Sequence, residues 1–333
     1  MNSRRPGCPI CGRAAGERMV RLPGAARRVF TYRRCDECGM MVCDPMLSMG
    51  ELAEYYAGIY YGRGGVKFPR CLGRILDRMS LGRADWVASR RSAGRILDIG
   101  CGEGRFLRMM RKRGWEVHGT ELDGPARDRA AQIAGCTMHR ADPEQWEVPD
   151  NYFDVITLWH VLEHSPDPAG LLDACRRRLG GDGLLVIEVP NLASFQARLC
   201  GVWWFHLDPP RHLYQFTPRA LAALLRASGF RVIRMEALDG VMGAFGAAQS
   251  ILNLAIRPRE CLYDMLRARG RAGCSWPAVL GSVVFFPLAL AVGVLLSSME
   301  TALGHGAMLR AAAVRDDASG AGDMSEERAG HTG

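Results

Sequence analysis

The sequence predicts an α/β protein built on a doubly wound parallel sheet, and three observations carry that prediction. An apolar run, Arg95-Ile-Leu-Asp-Ile99, is followed by Gly100, Gly102 and Gly104 and then by helix-forming residues through Lys112. A second run, Gly114 to Glu121, ends in an acid, and Phe153–Trp159 and Gly183–Pro190 repeat the strand pattern further on. Strands alternating with helices and separated by glycine-rich breaks read as a parallel sheet covered on both faces.

The glycine segment reads as a buried strand, a tight turn and a helix N-terminus. Glycine belongs there because a ligand approaching the backbone would be blocked by a Cβ. The dinucleotide fingerprint G-x-G-x-x-G needs its third glycine one position later, where Arg105 stands, and this argues against a nicotinamide cofactor. Glu121 lies about 20 residues past the first glycine, at the end of the second strand, where a carboxylate accepts hydrogen bonds from ribose hydroxyls.

What remains, Asp98-x-Gly100-x-Gly102-x-Gly104, resembles motif I of the class I S-adenosylmethionine-dependent methyltransferases. The resemblance implies a seven-stranded Rossmann-like sheet and S-adenosyl-L-methionine as cofactor. It places Asp98, Gly100, Gly102, Gly104, Glu121, Asp142 and Trp159 around that cofactor, with Asp142 near the adenine. Strand six is then expected at Phe230–Glu236 and strand seven at Ala307–Val314.

Bulk properties bound the alternatives. A chain of 333 residues with 48% hydrophobic content can bury one full α/β domain with additions. The formal charge is +8, and all but two of the 43 basic residues (Lys67, Lys112) are arginine. They are scattered without a basic tract or an aromatic ladder, which excludes a nucleic-acid partner from the reading. Residues 1–30 contain seven arginines and no apolar core of a secretory signal, so a cytoplasmic chain with reduced thiols is expected.

Cys8-Pro-Ile-Cys11-Gly and Cys35-Asp-Glu-Cys38-Gly are paired knuckles. Four thiolates in two such turns suit structural Zn2+ in a closed tetrahedral site, and the intervening Arg18–Leu22 and Arg28–Tyr32 read as strands of a zinc ribbon. Cys43 reads as a core residue. The resulting division is a zinc-ribbon-like domain (1–50), a helical connector (51–94), a methyltransferase domain (95–315) and a disordered tail (316–333). The ribbon, the segment Leu52–Tyr61 and motif I together resemble bacterial methyltransferases of sugar, polysaccharide or quinone biosynthesis. The large C-terminal domain of the sugar C-methyltransferases has no room here, which disfavours C-methylation.

Two strings carry candidate chemistry. Trp159-His-Val-Leu-Glu-His164 places His160, Glu163 and His164 at i, i+3 and i+4, on one face if helical. It matches the inverted zinc-protease motif, but its position after a methyltransferase strand four, with Pro166 and Pro168 following, rejects a protease. In the resembling quinone O-methyltransferases, acids and a histidine here are associated with a divalent metal, and His160 replaces one of those acids. The second string runs from Trp203 to Pro218, where Arg211 is suited to an anionic substrate group and His212 to proton transfer. Methyl transfer to a hydroxyl needs in-line approach and a base. His164 or His212 is the expected base, with His160 third.

Trp276–Met299 contains no charged residue, and Val241–Ile256 is also charge-free. Three arrangements stay open for residues 241–303: a membrane-dipping hairpin with a kink at Pro287, a buried or oligomer-forming helical pair, and a true crossing with a displaced strand seven. The expected activity is O-methylation of a small-molecule or lipid-linked saccharide, or of a quinone-like hydroxylated acceptor. The chain would be cytoplasmic, peripheral or re-entrant on the inner membrane face, with room for a homo-oligomer. The alternative is a catalytically silent cofactor-binding scaffold that docks through its ribbon.

Overall fold

Strands that are apolar on both faces need cover on both sides, and the chain supplies it. The computed structural model describes residues 7–13, 16, 18–23, 29–48, 50–52, 72–266 and 274–316. In chain order the elements are β1 (Arg18–Pro23), β2 (Val29–Arg34), β3 (Met41–Asp44), α1 (Gly73–Ala88), β4 (Arg95–Ile99), α2 (Arg105–Arg111) and β5 (Glu116–Thr120). Then follow α3 (Pro125–Ala131), β6 (Cys136–His139), β7 (Phe153–Trp159), α4 (Pro168–Arg178), β8 (Leu179–Pro190), α5 (Phe195–Cys200) and β9 (Tyr214–Gln215). The chain closes with α6 (Pro218–Ala227), β10 (Phe230–Leu238), α7 (Val241–Ala255), α8 (Cys261–Leu266), α9 (Trp276–Ala302) and β11 (Met308–Arg315). Leu52 is buried, whereas the rest of the Leu52–Tyr61 segment and the tail from 317 lie outside the described residues.

Seven strands form one sheet in the order β10-β11-β8-β7-β4-β5-β6. Its central pairs are parallel, and β11 runs antiparallel to both β8 and β10. This is the Rossmann-like methyltransferase architecture expected from the sequence, including its last two strands. Side chains alternate between two cores: Ile96 of β4 packs with α1 and α2, whereas Leu97 packs on the side of α4 and α6. Helix α6 shows how the local sequence sets this up. Thr217 caps it by accepting from the Ala220 amide, Pro218 starts it, and Ala220, Leu221, Leu224 and Leu225 form its buried stripe.

The N-terminal strands are not a self-contained sheet. β1, β2 and β3 are antiparallel neighbours, and β9 adds a fourth strand on β3 through Met41↔Gln215 and Val42↔Tyr214. Phe30, Tyr32, Met40 and Val42 belong to the same continuous core as α4 and α6. Cys43 is fully buried in it, as a core thiol should be.

The apolar insertion corrects two expectations. Because β11 pairs with β8 and β10, the chain leaves the sheet and returns to it, and the crossing with a displaced last strand is ruled out. Pro287 does not divide the second segment: α9 is one helix through it, about 40 Å long at 1.5 Å per residue. The hairpin is instead α7 against α9. Gly281 lies near Ile256 and Gly293 near Ala244 and Ala248, so the helices run antiparallel. A Cβ at Gly293 would sit 2.5 Å from the Ala244 carbonyl oxygen, so only glycine allows this approach. At the sheet end Glu300 is fully buried and accepts from the Gln196 backbone amide (2.6 Å) and its side-chain Nε2 (2.8 Å). The expectation of reduced thiols throughout is also corrected. Cys261 and Cys274, with Cα atoms 6.0 Å apart, are joined by a disulfide at the far end of the hairpin.

Candidate active site

Parallel α/β sheets bind ligands beyond the carboxyl ends of their strands, where the strand order reverses. Here that point lies between β4 and β7, and a cavity of about 1190 Å³ opens there. The turn after β4 is built as the glycine spacing demands. Gly100, Gly102 and Gly104 all have positive φ (65°, 56° and 72°). A Cβ at Gly100 would meet Val161 at 2.7 Å and one at Gly104 would meet Ile133 at 2.4 Å. At Gly102 a Cβ would meet no protein atom within 4 Å, and this glycine faces the cavity.

One acid braces the turn, and a second ties β4 to β7 just before it. Glu121 accepts from the Gly102 amide (2.7 Å) and the Leu122 amide (3.0 Å), which ties the end of β5 to the turn. Asp98, 2% exposed, accepts from Thr157 Oγ1 at 2.7 Å, and burial pushes its carboxyl up to about 7. Asp142 lines the cavity while its carboxylate caps the following turn, accepting from the Glu144 amide and Gln145 Nε2. Trp159 closes the floor, with the Arg83 guanidinium 4.8 Å from its ring centre.

The other half of the cavity holds the histidines. The H-x-x-E-H string does not form one helical face, because only Leu162–His164 make a short 3-10 turn and His160 adopts φ 57°. His160 keeps Glu163 as a neighbour but is not part of the group that Glu163 forms with His164 and His212. It sits between Glu163 (3.3 Å) and Glu188 (3.3 Å), and although burial opposes it, these carboxylates hold its pKa above the usual value. Glu188 at the end of β8 also accepts from Arg83 and Arg310. These cations, with His160, outweigh burial and keep it well below the usual carboxylate range.

His164 and His212 do converge, with ring centres 4.8 Å apart. His164 Nδ1 donates to the Arg211 carbonyl (2.8 Å) and His212 Nδ1 to the His206 carbonyl (2.7 Å). Carbonyls accept only, so both lone pairs reside on Nε2. Burial pushes both imidazoles down to about 4, leaving them neutral near pH 7. With Glu163, fully buried, they place one ligand-type atom each within 4.8 Å of one another, a set able to share a proton or a small cation. Arg211 does not present an open charge to the cavity: it is 4% exposed and forked onto Asp208.

Several site residues escaped the sequence reading. His206, pushed by burial to about 3, and Phe205 line the cavity from the aromatic block, where their position was visible but their orientation was not. Met242 and Tyr263 reach it from the α7–α9 insertion, and Arg83 reaches it from α1. No local pattern marked these three.

A family model described as "Methyltransferase domain" matches residues 69–235, half of the chain. The chain belongs to this family. It is an S-adenosylmethionine-dependent class I methyltransferase, with S-adenosylmethionine as methyl donor. The methyltransferase is 30% identical over 174 residues to a ubiquinone biosynthesis O-methyltransferase of Xylella fastidiosa, covering 48% of this chain and 69% of that one. It is 29% identical over 175 residues to the protein of the same name from Xanthomonas oryzae pv. oryzae, covering 48% and 72%. Among solved structures it is similar to a SAM-dependent methyltransferase from Archaeoglobus fulgidus, with TM-score 0.46, 20% identity and coverage of 72% and 94%.

Gly102→Ala isolates the ligand-facing turn. The added methyl meets no protein atom, so the cost to the fold is the left-handed backbone alone, about 1–2 kcal/mol. Calorimetry is expected to show S-adenosylmethionine affinity at least about tenfold weaker, since losing 1.4 kcal/mol of binding is tenfold. Native affinity in the variant would contradict the assignment of this turn as the cofactor cradle.

Proposed function

We propose that the methyltransferase O-methylates a hydroxylated, quinone-like aromatic acceptor bound between the cofactor and the His164–His212 pair. The observation that carries this reading is the pair of neutral imidazoles facing one another in the cavity wall, each with its Nδ1 proton committed to a carbonyl so that Nε2 is its basic nitrogen. Asp98, Gly100, Gly102, Gly104, Glu121, Asp142 and Trp159 would hold the cofactor, with Glu121 also placed to meet the ribose.

In the proposed step the acceptor oxygen attacks the methyl carbon in line with the C–S bond. That bond breaks, its electron pair goes to sulfur, and S-adenosylhomocysteine leaves as the sulfonium charge disappears. The hydroxyl proton passes to Nε2 of His212 or His164. Imidazoles pushed down to about 4 favour a phenol, whose proton leaves at about 10, over an aliphatic alcohol with acidity nearer water at about 15.7. This chemistry and the names of the relatives together favour a phenolic acceptor over a saccharide. His160 is faced by a carboxylate on each ring nitrogen, Glu163 on Nδ1 and Glu188 on Nε2, and is better placed to orient Glu163 than to meet the acceptor. A scaffold without turnover would not need this pair.

The test uses 4-hexylcatechol as acceptor. His164→Ala and His212→Ala are expected to lower kcat by about 10²-fold or more with cofactor affinity retained. A base with pKa about 4 is lost only as pH falls through about 4, so the acid limb of kcat should lie below pH 5. An acid limb near 6.5, or full activity in both variants, would sink the assignment.

Cys8, Cys11 and Cys35 place their Sγ atoms within 4.8 Å of one another, and with Cys38 beside Cys8 the set is suited to structural zinc. Cys8 and Cys38 Sγ atoms lie 3.6 Å apart, as do those of Cys11 and Cys35. A ZnS₄ tetrahedron with Zn–S of about 2.3 Å has S–S edges of about 3.8 Å. With no coordination position left over, the ion would hold the knuckles together. Metal analysis of the purified chain should find one zinc per chain, and its absence from a Cys35→Ser/Cys38→Ser variant completes the test; zinc retained by that variant would refute the site.

The α7–α9 hairpin fits a membrane-borne acceptor. From Pro277 to Leu295 every exposed residue of α9 is apolar, including Leu280, Val284, Phe285, Leu288 and Leu295 at 59–71% exposure. This face is on the order of 1,000 Å², beyond the few hundred usual on a soluble monomer. A protein partner would seek about one hydrogen bond per 100–200 Å², which these side chains do not offer, whereas lipid asks for none. Arg257, exposed and stacked on Trp203 at 3.7 Å, lies at the end of the hairpin where α9 begins, suited to anionic headgroups. The inner side contributes Met242 to the cavity. The full chain should sediment with phosphatidylcholine vesicles containing phosphatidylglycerol, and Leu288→Glu/Leu295→Glu should abolish this while cofactor binding persists. Equal sedimentation of the variant, or a native dimer that it disperses without any vesicle binding, would overturn the membrane reading.

A further inference from the structure

We propose that the N-terminal sheet positions the acceptor-side loop, with Tyr32 as the positioning residue that links the cysteine knuckles to His212. The proposal rests on the reading that this half of the cavity receives the acceptor.

Tyr32 lies on β2, is 0% exposed, and does not itself line the cavity. Its hydroxyl proton is shared between the carbonyl oxygens of Leu207 (2.6 Å) and His212 (2.5 Å). Both carbonyls belong to the loop whose imidazoles, His206 and His212, face the cavity. Gln215 on β9 completes the clamp. Its Nε2 donates to the carbonyls of Leu207 (2.9 Å) and His206 (3.2 Å) and to the Tyr32 oxygen (3.4 Å). The Cys43 amide on β3 donates to the Leu213 carbonyl, and the Leu213 amide to the Glu163 carbonyl, each at 2.8 Å. A chain of bonds therefore runs from β2 and β3, through residues 206–215, to the turn that carries Glu163 and His164.

The knuckles sit at the root of this device. Cys35 follows β2 and Cys38 lies just before β3, so drawing the four thiols together fixes the hairpin that presents Tyr32 and Cys43. Burial raises the Tyr32 phenol well above its usual range, so it stays a donor at working pH. Among the described residues Tyr32, Gln215 and residues 206–213 make no hydrogen bond to the glycine turn, so the clamp bears on the acceptor half of the cavity rather than the cofactor half.

The test is Tyr32→Phe in the full chain with S-adenosylmethionine present. Amide hydrogen exchange across residues 204–216 should accelerate at least tenfold, while residues 96–121 and the cofactor dissociation constant stay at native values. With 4-hexylcatechol, kcat should fall at least tenfold with the KM for S-adenosylmethionine unchanged, a split that general destabilisation would not produce. Native exchange in 204–216, or a native kcat, would overturn the proposal. If the native protein turns over no catechol, the acceptor reading fails by itself and the exchange result still decides this one. Should Tyr32→Phe lose cofactor binding altogether, Gln215→Met breaks the same clamp from the loop side, and the same outcomes apply.

Discussion

The bond from the Gly102 amide to the Glu121 carboxylate is the contact on which the rest of the site depends. It joins the turn after β4 to the end of β5, beside the β4–β7 point where the sheet order reverses, and holds a turn of three left-handed glycines open toward the cavity. Side chains larger than hydrogen would collide at Gly100 and Gly104. At Gly102 they would occupy the space a ligand needs. Asp98 below and Trp159 beside this turn complete a cradle on elements that are themselves fully packed. The half of the cavity proposed for the cofactor is thus made by one short segment and the strands next to it.

The half proposed for the acceptor is assembled differently. Its histidines come from two separate strings, and it is walled by α7 and α8 of the insertion and braced by the N-terminal sheet. Each contributor is distant in sequence, so its energetic support is long-range: the Leu213 amide on Glu163, Tyr32 on His212, and Glu188 gathering Arg83, Arg310 and His160.

This division explains what was legible in the sequence. Motif I, the strands β4, β5, β7 and β8 and the four knuckle cysteines are local patterns, set by strand period, glycine spacing and C-x-x-C geometry, whereas β10 and β11 follow from the topology of the family and the four-residue β6 has no pattern of its own. His160 was misplaced because the spacing i, i+4 presumes a helix, whereas the residue leaves its strand in a left-handed conformation to reach Glu188. The sequence offers Arg211 to an anionic substrate group but does not reveal that Asp208 folds back onto it. β9 is only two residues long and Tyr32 lies 180 residues from the carbonyl it binds, so neither could be inferred from periodicity. In the insertion the composition was plain, but Gly293 decided that α9 packs along α7 rather than turning back at Pro287.

The most direct measurement is a crystal structure of the full chain with S-adenosylhomocysteine. The account predicts the ribose hydroxyls on Glu121, the amino-acid portion against Gly100–Gly104, and the thioether sulfur directed toward His164 and His212. A product molecule bound elsewhere, or one whose sulfur points away from the two histidines, would contradict it.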